Sequence, residues 1–363
     1  MTLRKSILAI LLSIRTLVTF AISTRARRRS QGADTKFSLM AIPFCLSWHG
    51  VMLAGVLLAM IAPCLAQSCI VVDSDAGLDD YRAVSALAPT GRLSAVIVTE
   101  GISRSREGAG GMEAFLKRSG LYVPVLTGAS ASPRRVYVPK KDFPLWRDAA
   151  ERLNGLRETV AAGSAPSSEM LTRLADLTSK CPTISLVVIG PWTSFMGYAP
   201  ELLDRIDRIV AQGRPYPDEL GGEPTGFNCT FDINSCLAAH DLLVGRQKRA
   251  DRKLRVNWVD IPNTAEPCGA AEPGVDSSGK RVFAFSPSAD WAEELSGRGG
   301  AAAVIAAMLR ANPAAWAKTS LWDDLTALFL LRPEVFAARG GHQEPCVPAA
   351  AIRDLLVEAI SGR

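Results

Sequence analysis

Apolar, β-branched runs alternate with helical patterns along most of the chain, and this alternation limits the folds open to it. "CIVVD" is strand-like and "DDYRAVSALA" helical. "LSAVIVT" is strand-like, "GAGGMEAFLKRSG" helical and closed by Gly120, and "VPVLTG" a short strand. The stretch "ASASPRRVYVPKKDFPLWRD" is too Pro-rich for regular structure. "SSEMLTRLADLTSK" predicts a helix with a serine N-cap, followed by the strand "TISLVVIG", the helix "APELLDRI" and the strand "DRIVAQG". A β-α-β-α order of this kind implies a single α/β domain with a mostly parallel central sheet flanked by helices.

In such sheets ligands gather outside the carboxyl ends of strands. The end of the first strand reads "VVDSDAGLDD", with Asp73, Asp75, Asp79 and Asp80 inside eight residues. Carboxylates repel one another and are costly to desolvate, so a bound cation is the natural compensation. A helix N-terminus favours acids and would account for Asp79 and Asp80. It does not account for Asp73 and Asp75 at the strand end.

Charge is divided unevenly. Residues 1–66 hold eight basic residues against Asp34, a net of +7, whereas the whole chain has 41 basic and 36 acidic residues. The remainder has 33 against 35, so the basic character belongs to the leader and gives no argument for nucleic-acid binding. Within the leader, "VMLAGVLLAMIAPCLAQSC" reads as a secretory segment with a cut expected at Ala66–Gln67. The earlier "SILAILLSIRTLVTFAI" is interrupted by Arg15 and short for a membrane span. Two tandem segments are unusual: a start at Met40 or Met52 would account for them, and an uncleaved anchor is the alternative. The expectation is a periplasmic or secreted domain over 67–363, touching a membrane only through its leader.

Beyond the leader stand Cys69, Cys181, Cys229, Cys236, Cys268 and Cys346, an even number that permits disulfides in an exported protein. At least one bond is expected among the last four. No CxxC or Cys/His spacing suggests zinc, and the two remaining histidines, His240 and His342, give little basis for a His-centred triad.

An apolar strand followed by DxD also opens haloacid-dehalogenase-type phosphatases, but the Asp79–Asp80 pair is foreign to that pattern. The string "VVDSDAGLDDYRAV" resembles instead the DxDxGxDDAxA signature of inosine-uridine-type nucleoside hydrolases, with Ala76 where proline is usual and Tyr81 where alanine is usual. "LSAVIVTEG" resembles the strand before that family's "GN" turn, and "LVVIGPWTS" its "GPLTN". "RIDRIVAQG" resembles its strand into a Gly-rich loop, "GFNCTFDINSCLAA" its "EFNxxxDPEAA" and "LWDDLTA" its "HDPLA". The matches keep the family's order over residues 69–335.

The resemblance implies calcium-dependent hydrolysis of an N-ribosyl bond in a small-molecule riboside, by a chain that often forms homo-oligomers. Ca²⁺ would be held by Asp75, Asp80, Asp323 and the backbone carbonyl of Thr193, a set of hard oxygen donors. Asp75 would also be the base that takes a proton from water, Asp79 would bind a ribose hydroxyl, and Asp73 would support these groups. The departures fall on recognition. Ile102 replaces the ribose-binding Asn, Leu220 falls at the loop Asn, Gly226 replaces Glu, and Trp322 replaces the leaving-group His; Asn228 is retained. Glu223 could stand in for the lost Glu. Trp322 could stack on a base or simply pack. A calcium-binding riboside or polyol binder with little turnover is therefore the alternative to a hydrolase.

Overall fold

A computed structural model describes residues 68–130, 142–157, 167–213, 226–249, 254–261, 290–316, 319–339 and 341–362. The expected leader, Leu220, Glu223 and Cys268 lie outside the described residues. The strands are β1 (Cys69–Ser74), β2 (Leu93–Val98), β3 (Val125–Thr127), β4 (Ile184–Val188), β5 (Ile206–Gln212), β6 (Arg255–Val259), β7 (Phe336–Arg339) and β8 (His342–Pro345). The helices are α1 (Leu78–Leu87), α2 (Ser105–Arg118), α3 (Phe143–Glu151), α4 (Met170–Thr178), α5 (Thr193–Leu202) and α6 (Phe227–Phe231). They continue as α7 (Ile233–Gln247), α8 (Asp290–Ser296), α9 (Gly300–Ala311), α10 (Pro313–Trp316), α11 (Trp322–Leu331) and α12 (Ala349–Ile360).

The eight strands form one sheet in the order β3-β2-β1-β4-β5-β6-β8-β7, parallel except for the β7–β8 hairpin at one edge. Ile70, Val71 and Val72 of β1 are buried on both faces, as a central strand of a parallel sheet requires. One face is covered by α1, α2, α9, α11 and α12 through Val84, Phe115, Ile305, Leu328 and Leu356. The other is covered by α4, α5 and α7 through Leu174, Phe195 and Leu243. The chain leaves β1 for β2 on one side and reaches β4 on the other. The crevice between the carboxyl ends of β1 and β4 is the switch point at which such sheets bind ligands.

Two local expectations are overturned. The Pro-rich stretch was expected to be irregular, yet its end forms α3. Pro144 falls in the first turn, where a missing N–H costs nothing. The serine N-cap of α4 does not form either: Ser167–Glu169 makes a 3-10 turn and Glu169 takes the cap position, with no side-chain cap bond.

Two disulfides join described residues. Cys229–Cys236 ties α6 to α7 and supplies a bond among the four cysteines where at least one was expected. Cys69–Cys181 was not foreseen; it pins the start of β1 to the segment entering β4. Cys346 is also disulfide-bonded.

Candidate active site

Asp73, one residue before the end of β1, is fully buried. The Thr99 hydroxyl donates to its Oδ1 at 2.5 Å and the Tyr198 hydroxyl to its Oδ2 at 2.8 Å. Burial pushes the Asp73 carboxyl up to about 7 against the pull of these two bonds. Asp73 is thus held at both carboxyl oxygens below the loop that follows.

The turn after β1 wraps its amides around carboxylates. Gly77 N–H donates to Asp80 Oδ2 (2.9 Å) and to Asp75 Oδ1 (3.2 Å), Asp75 N–H donates to Asp80 Oδ1 (3.1 Å), and the Ser74 hydroxyl donates to the same oxygen (2.5 Å). Asp80 therefore caps α1 while facing the crevice, where the helix dipole favours it. A Cβ added at Gly77 would lie 2.9 Å from Asp80 Oδ2, 3.0 Å from Asp79 Oδ1 and 3.4 Å from Asp75 Oδ1. Three carboxyl groups from one turn thus converge on one point.

The fourth comes from the far end of the sequence. α11 packs along α1 and delivers Asp323, which is buried; oxygens of Asp79, Asp80 and Asp323 lie within 4.8 Å of one another. Asp75 and Asp80 are linked through the Asp75 N–H, which donates to Asp80 Oδ1, and through the Gly77 N–H, which both carboxyls accept. The tightest trio thus includes Asp79, expected to contact ribose, and Asp75 joins through Asp80. Burial raises the carboxyls of Asp75 and Asp323 well above the usual range, and neighbouring acids raise them further; it also raises Asp80 and pushes Asp79 up to about 7. Carboxyls in such contact either share protons or share a cation. The cluster offers only hard oxygen donors, which fits Ca²⁺ or Mg²⁺ rather than a softer metal.

A feature absent from the expected pattern joins the two helices behind the cluster. Arg82 and Asp324, both fully buried, form a bidentate ion pair with both bonds at 2.8 Å, and Arg82 also donates to the Ser320 carbonyl. A charged residue in a helical pattern reads as solvent-facing. Only the packing of α1 on α11 shows this pair to be internal.

The other expected residues are placed as follows. Thr193 opens α5 after β4, and its hydroxyl donates to Asp232 Oδ2 (2.7 Å). The β4 turn is bound to β1 because Ile189 and Gly190 N–H both donate to the Asp73 carbonyl. Asn228 is buried in α6, and its amide nitrogen donates to the Ile189 carbonyl (3.0 Å) and Gln212 Oε1 (3.2 Å). Trp322, at the start of α11 beside Asp323, is left 37% exposed, so it is not a core residue. Ile102 supplies no side-chain polar group, but its N–H donates to Asp75 Oδ2 (3.0 Å). Gly226 immediately precedes α6.

Ala76 has φ = 52°, in the left-handed region, and its N–H donates to Ser74 Oγ at 2.9 Å. A proline ring fixes φ near −65° and has no N–H to give. Ala76→Pro, the residue common in the resembled signature, is therefore expected to lower stability by roughly 3 kcal/mol or more. Ala76→Gly is expected to raise it by about 1 kcal/mol, because glycine enters this region freely. Chemical denaturation of both variants checks the pair; a Pro variant as stable as the native chain would contradict the described turn.

No family model and no curated protein sequence matches the chain. Solved structures do resemble it. One is the purine-preferring ribonucleoside hydrolase from Gardnerella vaginalis (TM-score 0.56, 14% identity, 81% of this chain and 98% of that one). Another is the inosine-uridine preferring nucleoside hydrolase from Bacillus anthracis (TM-score 0.52, 15% identity, 81% and 99%). A third is the plant nucleoside hydrolase PpNRh1 (TM-score 0.52, 12% identity, 81% and 99%). The chain therefore has a nucleoside hydrolase-like fold.

Proposed function

We propose that the protein is an exported calcium-dependent hydrolase of N-ribosyl bonds, releasing base and ribose from a nucleoside-type substrate. The observation that carries this reading is the meeting of Asp75, Asp79, Asp80 and Asp323 at the strand ends of a nucleoside hydrolase-like fold. Ca²⁺ would be held by Asp75, Asp80, Asp323 and the Thr193 carbonyl oxygen. Bound there, it supplies charge neutralisation for the carboxylates and polarises water. The Cys69–Cys181 and Cys229–Cys236 disulfides support export, since such bonds persist in oxidising compartments.

The chain's own groups divide the remaining work. Asp75 accepts the proton of the attacking water; bonds from Ile102 and Gly77 N–H fix its carboxyl, and burial keeps it more basic than an ordinary aspartate. Asp79, half-buried at the start of α1, binds a ribose hydroxyl. Asn228 is held rigid through its amide nitrogen and offers Oδ1 to the sugar. The exposed Trp322 ring stacks on the base. The sugar passes through an oxocarbenium-like transition state, as in glycoside hydrolysis generally.

Chromatography of purine and pyrimidine ribosides incubated with the full chain tests the proposal. Free base and ribose are expected, and intact ribosides across the panel would refute hydrolysis. A second reading, a weakly active riboside or polyol binder, is favoured by Ile102, Gly226 and Trp322 at recognition positions. Calorimetric binding without product would establish it.

Leaving-group dependence follows from Trp322. General acid catalysis contributes roughly 10²–10⁴-fold, and indole cannot supply it. His240 lies in α7, where burial lowers its pKa, and His342 is engaged with Glu344 at 2.7 Å in the edge hairpin. A p-nitrophenyl riboside, whose phenolate leaves unaided, is expected to react at least about 10²-fold faster than inosine. Equal kcat/KM on the two would reveal an acid, with Glu223 the first residue to replace.

A further inference from the structure

The turn at residues 100–103 grips the end of β1 at three points. Ile102 N–H donates to Asp75 Oδ2 (3.0 Å), Ser103 N–H to the Asp75 carbonyl (3.0 Å) and Ser103 Oγ to the Ala76 carbonyl (2.9 Å). Gly101 N–H closes the turn onto the Ser103 carbonyl (3.0 Å). Gly101 also presses on the same carboxylate: a Cβ there would overlap Asp75 Oδ2. The orientation of Asp75 is thus set by a short turn with an apolar side chain at its apex.

From outside, the turn is held at Glu100, whose N–H donates to the Ala129 carbonyl (2.9 Å), and by α3, the helix at the end of the Pro-rich stretch. Arg147 Nε donates to the Ile102 carbonyl and Nη2 to the Gly101 carbonyl, both at 2.8 Å. The guanidinium is 3.7 Å from Glu100 Oε1 and stands 4.7 Å from the centroid of the Phe143 ring. A planar fork bonded to two successive carbonyls fixes both peptide planes, and the Ile102 amide that points at Asp75 lies between those carbonyls. Lysine, a point charge, cannot reproduce this.

We infer that Arg147 is a positioning residue for the base: it locks the 100–103 turn so that the Ile102 amide holds Asp75 in its productive orientation. The inference rests on the hydrolase reading for Asp75's role, but the physical link from Arg147 to the turn can be tested without it. A small misplacement of a reacting group lowers turnover by up to about 10²-fold without removing substrate contacts.

Arg147→Ala, Arg147→Lys and, as a control at the C-cap of the same helix, Arg152→Ala are made in the full chain, and thermal unfolding is recorded for each. Hydrogen exchange is followed by mass spectrometry, and kcat and KM are measured on the best riboside. In Arg147→Ala, exchange of the 101–103 amides is expected to quicken by at least about tenfold while the sheet stays protected. Its kcat is expected to fall about 10–100-fold with KM within about threefold of native. Millimolar guanidinium is expected to recover part of the lost kcat, and Arg147→Lys is expected to stay impaired. Native exchange at 101–103, or exchange quickened equally throughout the chain, overturns the inference. So does native kcat in an active enzyme. If the native chain hydrolyses no riboside, the proposed function fails, and exchange at 101–103 alone decides whether Arg147 locks the turn.

Discussion

Asp75→Asn is expected to lower kcat/KM for riboside hydrolysis by at least about 10²–10⁴-fold, the range contributed by a general base. The fold is expected to survive. Asparagine keeps the size of the side chain, and its carbonyl oxygen can accept from either Ile102 or Gly77 N–H, the two donors that Asp75 satisfies. One of those donors then faces an NH₂ group, at a cost of about 1–3 kcal/mol. Against this, the substitution removes one charge from a buried cluster whose members raise each other's pKa values. The net change in stability is therefore small, while both the proton acceptor and a charged cation ligand are gone. Circular dichroism and denaturant midpoints check the fold, and steady-state kinetics the activity. Native turnover in this variant would show that another group takes the proton.

The second large effect is a pH dependence of stability that calcium is expected to abolish. Asp73 and Asp79 are pushed from the ordinary aspartate range up to about 7 in the cation-free protein, and Asp75, Asp80 and Asp323 are raised as well. A raised carboxyl pKa means that the folded state holds protons which the unfolded chain has already lost. The associated stability is present below about pH 4 and disappears as pH rises through about 7. In EDTA, Tm is expected to fall by at least about 5 °C between pH 5 and pH 8, since roughly 2–4 °C corresponds to each kcal/mol in a chain of this size. Under the proposed function calcium would bind the deprotonated carboxylates and release their protons, so its apparent affinity is expected to rise over the same interval. With calcium saturating, the fall in Tm is expected to vanish. Differential scanning calorimetry in the two conditions measures both arms. A flat profile in EDTA would mean that the carboxyls are not crowded as described.

Much of the fold follows from local sequence. The apolar, β-branched runs of β1, β2 and β4 and the helical patterns between them specify a parallel sheet, and "DSDAGLDD" marks the strand end where the site lies. The carboxyls of Asp75, Asp79 and Asp80 converge because one short turn holds them, so their meeting is legible over eight residues. What could not be read depends on contacts between distant segments. Arg82 is indistinguishable from a solvated helical arginine until α11 brings Asp324 against it. The bond between Cys69 and Cys181 depends on β1 and β4 being neighbours, which is a property of the sheet order. α3 was hidden because proline suggests irregular structure, whereas its place in the first turn is compatible with a helix. With α3 hidden, Arg147 gave no sign of reaching Gly101 and Ile102. That Ile102 stands where the resembled pattern has Asn is legible in the sequence, but not that the backbone of the same residue holds Asp75.

The Arg82–Asp324 pair has an architectural consequence. It fastens α1, which carries Asp79 and Asp80, to α11, which carries Asp323. The acids are thereby held together by the protein itself. A buried pair of this kind costs several kcal/mol when one partner is removed, because the other is left charged and unpaired.

The central claim is that these converging carboxylates form a cation-dependent hydrolytic centre. The most direct measurement is the rate of ribose release from an activated riboside by chain stripped with EDTA and then titrated with Ca²⁺. The account predicts negligible release from the stripped protein and a rise that saturates at one equivalent of tightly bound calcium. Release that is undiminished by stripping, or absent at every calcium concentration, would contradict it.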